Sequence, residues 1–106
     1  MLRQFDVYTN TDKDTNSTYP YFVDIQNDLI DTLNSRVVIP LTPSSKSAKS
    51  YPSTLCPIIK IKNQNYSLLT HQLTSVSKNF LKNNQGSLVA SRDDIVAAID
   101  FLVTGI

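Results

Sequence analysis

The chain has 106 residues, ten Lys or Arg against nine Asp or Glu, a formal charge of +1 and one cysteine. That length holds one domain, read as residues 1–106, which buries roughly two thirds of the surface its unfolded chain exposes. The balanced, dispersed charge argues against a dedicated nucleic-acid binder, the lone Cys56 excludes an internal disulfide framework, and no apolar run reaches the ~20 residues of a membrane span.

Gln4-Phe5-Asp6-Val7-Tyr8 alternates, with Phe5 and Val7 on one face, and predicts a strand. Asn10 to Thr18 is polar and reads as an exposed loop. Tyr21-Phe22-Val23-Asp24-Ile25 is aromatic and β-branched and predicts a second strand, antiparallel to the first. Asn27 to Leu33 fits a short helical turn or an irregular excursion carrying Leu29 and Ile30. Arg36-Val37-Val38-Ile39-Pro40-Leu41 predicts a third strand. Pro40 cannot donate a ladder hydrogen bond, so it is expected at an edge, a strand end or a bulge. Thr42 to Ser53, rich in Ser, Lys and Pro, reads as a long mobile loop. Ile58 to Lys62 and Tyr66 to Thr70 flank Asn63-Gln64-Asn65 and predict a hairpin. Gln72 to Leu81 has no clear pattern, and Gly86 to Ala90 reads as a short last strand.

The C-terminal segment is the plainest helix. Ser91 and Asp94 stand in capping-box spacing, Asp93 and Asp94 put negative charge at the helix start, and Gly105 supplies a left-handed stop. Ile95, Ala98, Ile99, Leu102 and Val103 form one apolar stripe. Val96, Ala97 and Phe101 form a second set, so one face is expected on the core and the other on another chain. The sum is a β-rich α+β fold, a strongly bent antiparallel sheet or small barrel closed by that helix.

Residues with catalytic potential are few. His71 has no Cys or His partner at metal-ligand spacing, and it pairs with Asp24 or Asp28 only if folding joins them. Cys56 reads as a buried apolar filler. Asp24, Asp28 and Asp31 read as local hydrogen-bonding groups. Lys46, Lys49, Lys60 and Lys62 read as solvated surface. No signal peptide precedes the first strand, and a cytoplasmic location is expected, without cofactor or metal.

Several segments together resemble the CcdB family of toxins. They are Gln4-Phe5 with Val7-Tyr8-Thr9, Phe22 to Asp31, Arg36 to Leu41, Pro57 to Ile61, Leu68 to Thr70, Thr74-Ser75-Val76, and Ile99 to Gly105-Ile106. The resemblance implies a homodimer with an SH3-like barrel, a small extra sheet and a C-terminal helix. It implies a toxin of a toxin–antitoxin pair that acts in plasmid maintenance. Such a toxin binds the A subunit of DNA gyrase and holds the enzyme on cleaved DNA. A CcdA-type antitoxin neutralises it through a disordered C-terminal tail, and the two repress their own operon, operator DNA being read by the antitoxin.

Carried over by position, the gyrase-binding residues are Val103, Thr104, Gly105 and Ile106, with Asp100, Leu29 and Ile30 beside them. The dimer interface falls on Ile25, Phe101 and Leu102. Thr104 departs from the well-known plasmid toxins, which have a tryptophan there. Val103, Ile106, Leu29 and Ile30 also admit a reading as core residues. Two other functions compete. One is an endoribonuclease toxin on the same kind of barrel, as in MazF-type toxins, with Arg3, Arg36, His71 or Arg92 acting on RNA. The other is a non-toxic oligomerisation or adaptor homologue, for which Thr104 is the main support.

Overall fold

A computed structural model describes residues 2–30, 32–47 and 51–105. Its strands are β1 (Asp6–Thr9), β2 (Tyr21–Asp24), β3 (Ser35–Pro43), β4 (Ile58–Ile61), β5 (Gln64–Leu68), β6 (Thr74–Ser77) and β7 (Lys82–Ser87). They form one antiparallel sheet in the order β4-β5-β3-β2-β1-β7, with β6 branching from β3. The sheet curls into a half-barrel, and the helix α2 (Arg92–Thr104) packs on its apolar core. The expected β-rich α+β fold is therefore present.

The period-2 alternation of the strands divides the core in two. Val7, Val23, Ile39, Leu41, Ile59, Ile61, Tyr66 and Leu68 point into the curl, where Phe5, Leu88 and Ile95 join them. Their neighbours Tyr8 and Val38 point outward and meet Leu81, Phe22, Val76 and Phe80. The β6 branch, with the 3-10 turn Lys78–Phe80 after it, thus supplies the cover for the outer face. Phe22 and Phe80 meet there edge to face, with ring centroids 5.6 Å apart.

Pro40 is explained by that branching. β3 pairs with β6 through Ser35–Val38 and with β5 through Leu41–Pro43. Pro40 lies between the two, and its carbonyl accepts from the Leu69 N–H at 3.0 Å. In an antiparallel strand a residue's N–H and C=O face the same neighbour. The missing N–H therefore falls where one partner strand gives way to the next. In place of the edge, strand end or bulge expected for Pro40, the structure has a fork inside the sheet.

Other expectations shift in detail. Asn10, expected in an exposed loop, is buried and organises that loop: its side chain donates to Thr15 Oγ1 at 3.0 Å and to the Tyr19 carbonyl at 2.8 Å. The β4–β5 turn is tighter than expected, with Lys62 and Asn63 both at positive φ and Ile61 opposite Gln64, the arrangement that suits strand twist. Within Thr42–Ser53, residues Ser44–Ser47 form a single helical turn, α1, and residues 48–50 lie outside the described residues. The last strand ends at Ser87, and Val89–Ser91 is a 3-10 turn leading into α2.

Candidate functional site

The helix start differs from the expected capping box. Ser91 is the N-cap residue, but its side chain makes no cap hydrogen bond. Asp93 and Asp94 remain in the first turn, where carboxylates favour the helix dipole. The core-facing stripe is shorter than expected. Ile95 and Ala98 are buried, and Val96 and Ile99 are partly buried against the inner core. Leu102 and Val103, placed on the same stripe by spacing, have run past the core: both are exposed, Val103 at 74%. Gly105 ends the helix at φ 73, its N–H reaching the Phe101 carbonyl at 2.9 Å. The Thr104 hydroxyl donates to the Asp100 carbonyl at 2.6 Å, turning back onto its own helix. Ile106 lies outside the described residues.

The 3-10 turn Asp28–Ile30, which has no buried residue, is the first of two apolar knobs in chain order, and the exposed end of α2 is the second. Leu29 is 89% exposed, and Ile30 and Leu33 are exposed beside it in sequence. The core reading of Leu29, Ile30 and Val103 is thereby overturned. Of the carried-over residues, Leu29 and Ile30 lie on the first knob, and Asp100, Leu102, Val103, Thr104 and Gly105 lie at the second. Ile25, near the root of the first, and Ile99, just before the second, pack against the same inner core. Phe101 is half-buried and lines an open groove of about 460 Å³ between α2 and the 53–57 segment, with Ser53, Thr54, Pro57, Asp94 and Ala97. Part of the second apolar set of α2 thus meets its own chain's groove.

Beneath the first knob lies a charge network that spacing alone did not reveal. Arg36 and Asp24 are both 0% exposed and bonded at 2.9 Å. The guanidinium also reaches the Gln26 carbonyl at 3.2 Å and Asp28 Oδ1 at 3.3 Å. The Gln26 N–H donates to Asp24 Oδ1 at 2.9 Å, and buried Gln26 accepts from the Val37 N–H at 3.2 Å. Asp28 Oδ1 additionally accepts the Gln4 N–H at 2.9 Å. Burial pushes the Asp24 carboxyl above its usual range, against the opposing pull of Arg36 and the Gln26 N–H. Asp24 and Asp28 are therefore not merely local hydrogen-bonding groups, because they hold an arginine of another strand. Register carries the missed signal. Asp24 pairs with Val38, which makes Arg36 its diagonal neighbour two residues away. Asp31 lies outside the described residues.

His71 meets neither carboxylate suggested for it. Its Nδ1 lies 3.7 Å from Cys56 Sγ, and its ring lies against that of Tyr51, tilted by 40° with centroids 4.4 Å apart. Cys56 is buried as expected of a filler, and burial pushes its thiol pKa up. Among the described residues no group of three or more His, Cys, Asp or Glu could hold a metal ion, and no helix is long and apolar enough to cross a membrane. In a comparison with protein families, the family model described as CcdB protein matches residues 4–105.

Proposed function

This chain belongs to the CcdB family, a family of toxins of toxin–antitoxin pairs, and from that premise we propose that it acts by binding the A subunit of DNA gyrase and trapping the enzyme on cleaved DNA. The toxin works as a homodimer of a single 1–106 domain, in the cytoplasm. A CcdA-type antitoxin tail neutralises it, and the pair represses its own operon through the antitoxin's contacts to operator DNA.

The observation that carries this reading is the apolar surface left outside the core: Leu29 on one knob, Leu102 and Val103 on the other. A trapping protein needs no acid or base of its own. It needs more affinity for one conformer of its target than for the others. Leu29, Ile30, Val103, Thr104, Gly105 and Ile106 supply the gyrase contact in this reading, with Asp100 at its margin. Ile25, Phe101 and Leu102 supply the dimer contact. Because the Thr104 hydroxyl is engaged with Asp100, the weight of the contact at this end falls on Val103 and Ile106.

The endoribonuclease alternative loses one of its candidates. Arg36, one of its phosphate-stabilising groups, is fully buried against Asp24, whereas Arg92 stays exposed beside Asp93.

The test is a supercoiling assay with purified gyrase, scored for linear DNA after protein denaturation. Wild-type protein is expected to yield linear DNA. Val103→Asp and removal of Gly105 and Ile106 are expected to abolish it while the circular dichroism stays native. Linear DNA from either variant at the wild-type level would refute this site. Cleavage of total RNA by the wild-type protein would favour the ribonuclease reading instead.

A further inference from the structure

Asp24 and Asp28 both reach Arg36, yet they do different work. The Asp24 side chain is 0% exposed, whereas that of Asp28 is 55% exposed and lies 3.3 Å from the guanidinium. Asp24 is the partner that compensates a buried charge. A half-exposed ion pair at the longer distance adds little to stability, because water screens it. What Asp28 does contribute is position.

The Asp28–Ile30 turn buries none of its side chains, so packing does not fix it. Asn27 organises it locally: Asn27 Oδ1 accepts the Leu29 N–H at 2.8 Å, and the Asn27 carbonyl accepts the Ile30 N–H at 3.1 Å. Those bonds shape the turn without attaching it to the sheet. Asp28 attaches it. One carboxylate oxygen takes the Gln4 N–H from the start of the chain and the Arg36 guanidinium from β3. Gln4 in turn holds the strand leading into the turn, its Nε2 donating to the Ile25 carbonyl at 3.1 Å.

We propose that Asp28 is a positioning residue, whose carboxylate pins the Asp28–Ile30 turn to Gln4 and Arg36 and so presents Leu29 and Ile30 as a preformed apolar knob for gyrase. The inference rests on the reading of that turn as a gyrase contact. An apolar side chain on a loose loop must be ordered on binding, at a cost in affinity. A pinned turn meets that cost during folding.

Two measurements on the full chain test it. The first is amide hydrogen exchange in the free protein. Asp28→Ala is expected to speed exchange at Leu29 and Ile30 by roughly tenfold or more, while the amides of Val23 and Ile39 keep wild-type protection. Asp28→Asn, which keeps an acceptor oxygen, is expected to recover most of the loss. Unchanged exchange at Leu29 and Ile30 in Asp28→Ala overturns the inference, whatever gyrase does.

The second is a double-mutant cycle on binding to the purified gyrase A subunit. Asp28→Ala and Leu29→Ala are each expected to weaken binding roughly tenfold, and the double variant about as much as either alone, whereas Asp28→Ala combined with Val103→Ala multiplies the two losses. Wild-type binding by Asp28→Ala alongside weak binding by Leu29→Ala overturns the inference and leaves the contact standing. Wild-type binding by Leu29→Ala removes the contact itself, and with it the gyrase part of the proposal.

Discussion

Asp24→Ala should be among the most damaging single substitutions in this protein. Asp24 and Arg36 are both fully buried, and Asp24 is the only partner of the guanidinium at 2.9 Å among the bonds described above. Removing it takes away the closest carboxylate described for Arg36 and keeps, among the contacts described, the Gln26 carbonyl and the half-exposed Asp28. Breaking a buried ion pair by removing one member costs about 3–5 kcal/mol. A domain's whole stability is only about 5–15 kcal/mol, so the loss takes a large part of it. At roughly 4 °C or more per kcal/mol for a domain of this size, the melting temperature should fall by at least about 12 °C. The chain has no tryptophan, so far-UV circular dichroism in a urea series is the suitable readout. Burial holds the Asp24 carboxyl above its usual pKa, so desolvation of that carboxyl outweighs the pull of the guanidinium on it. Replacing both members by apolar residues, as in Asp24→Leu with Arg36→Met, should therefore recover about 2 kcal/mol or more relative to Asp24→Ala. A loss below about 1 kcal/mol in Asp24→Ala, or no recovery in the double variant, would refute the reasoning.

Gly105→Ala should cost about 1 kcal/mol by urea titration, since the residue sits at φ 73 but an added Cβ would meet nothing within 4 Å, which makes backbone strain the whole effect. Tyr8→Phe should be neutral or stabilising by up to about 1 kcal/mol, because the buried hydroxyl lies toward the Arg3 main chain without closing a full hydrogen bond. Burial, with Asp6 and Asp24 nearby, raises the Tyr8 pKa above 10.0, so the folded chain keeps a proton that the unfolded chain releases. That contribution is complete below about pH 10 and is lost as pH climbs through the raised value; equilibrium unfolding from pH 9 to 12 should show a shallower alkaline decline in Tyr8→Phe. Thr104→Trp should tighten binding to the gyrase A subunit by about 2 kcal/mol in a calorimetric titration, if an aromatic there stacks as a hot spot; unchanged affinity would place the contact elsewhere.

The strands and the helix were legible because their periodicity is strong. Phe5 and Val7, Phe22 and Val23, and Val38 and Ile39 announce faces, and Gly105 announces a stop. What stayed hidden depended on pairing. Pro40 reads as an edge, strand-end or bulge residue until β6 and β5 are seen to divide β3 between them. Arg36 reads as the first residue of a strand and a candidate for acting on RNA until register sets it diagonal to Asp24. Ser91 reads as half of a capping box, but its side chain makes no such bond, because a 3-10 turn already delivers the chain into α2. Of the candidate site, the apolar residues were legible by position and their exposure was not. Leu102 and Val103 follow the core stripe in spacing, and only three-dimensional length shows that the helix outruns the core beneath it.

The strand order ends at β4 and β7, whose outer edges face one another across a gap that a Lys62–Gln85 side-chain hydrogen bond bridges. The facing rims carry Lys60 and Lys62 on one side and, on the other, a strand whose pairing slips and whose Asn83 and Gly86 sit at positive φ. Bent, cationic margins make poor templates for fibril growth. Edge-to-edge growth along the backbone ladder is thereby discouraged.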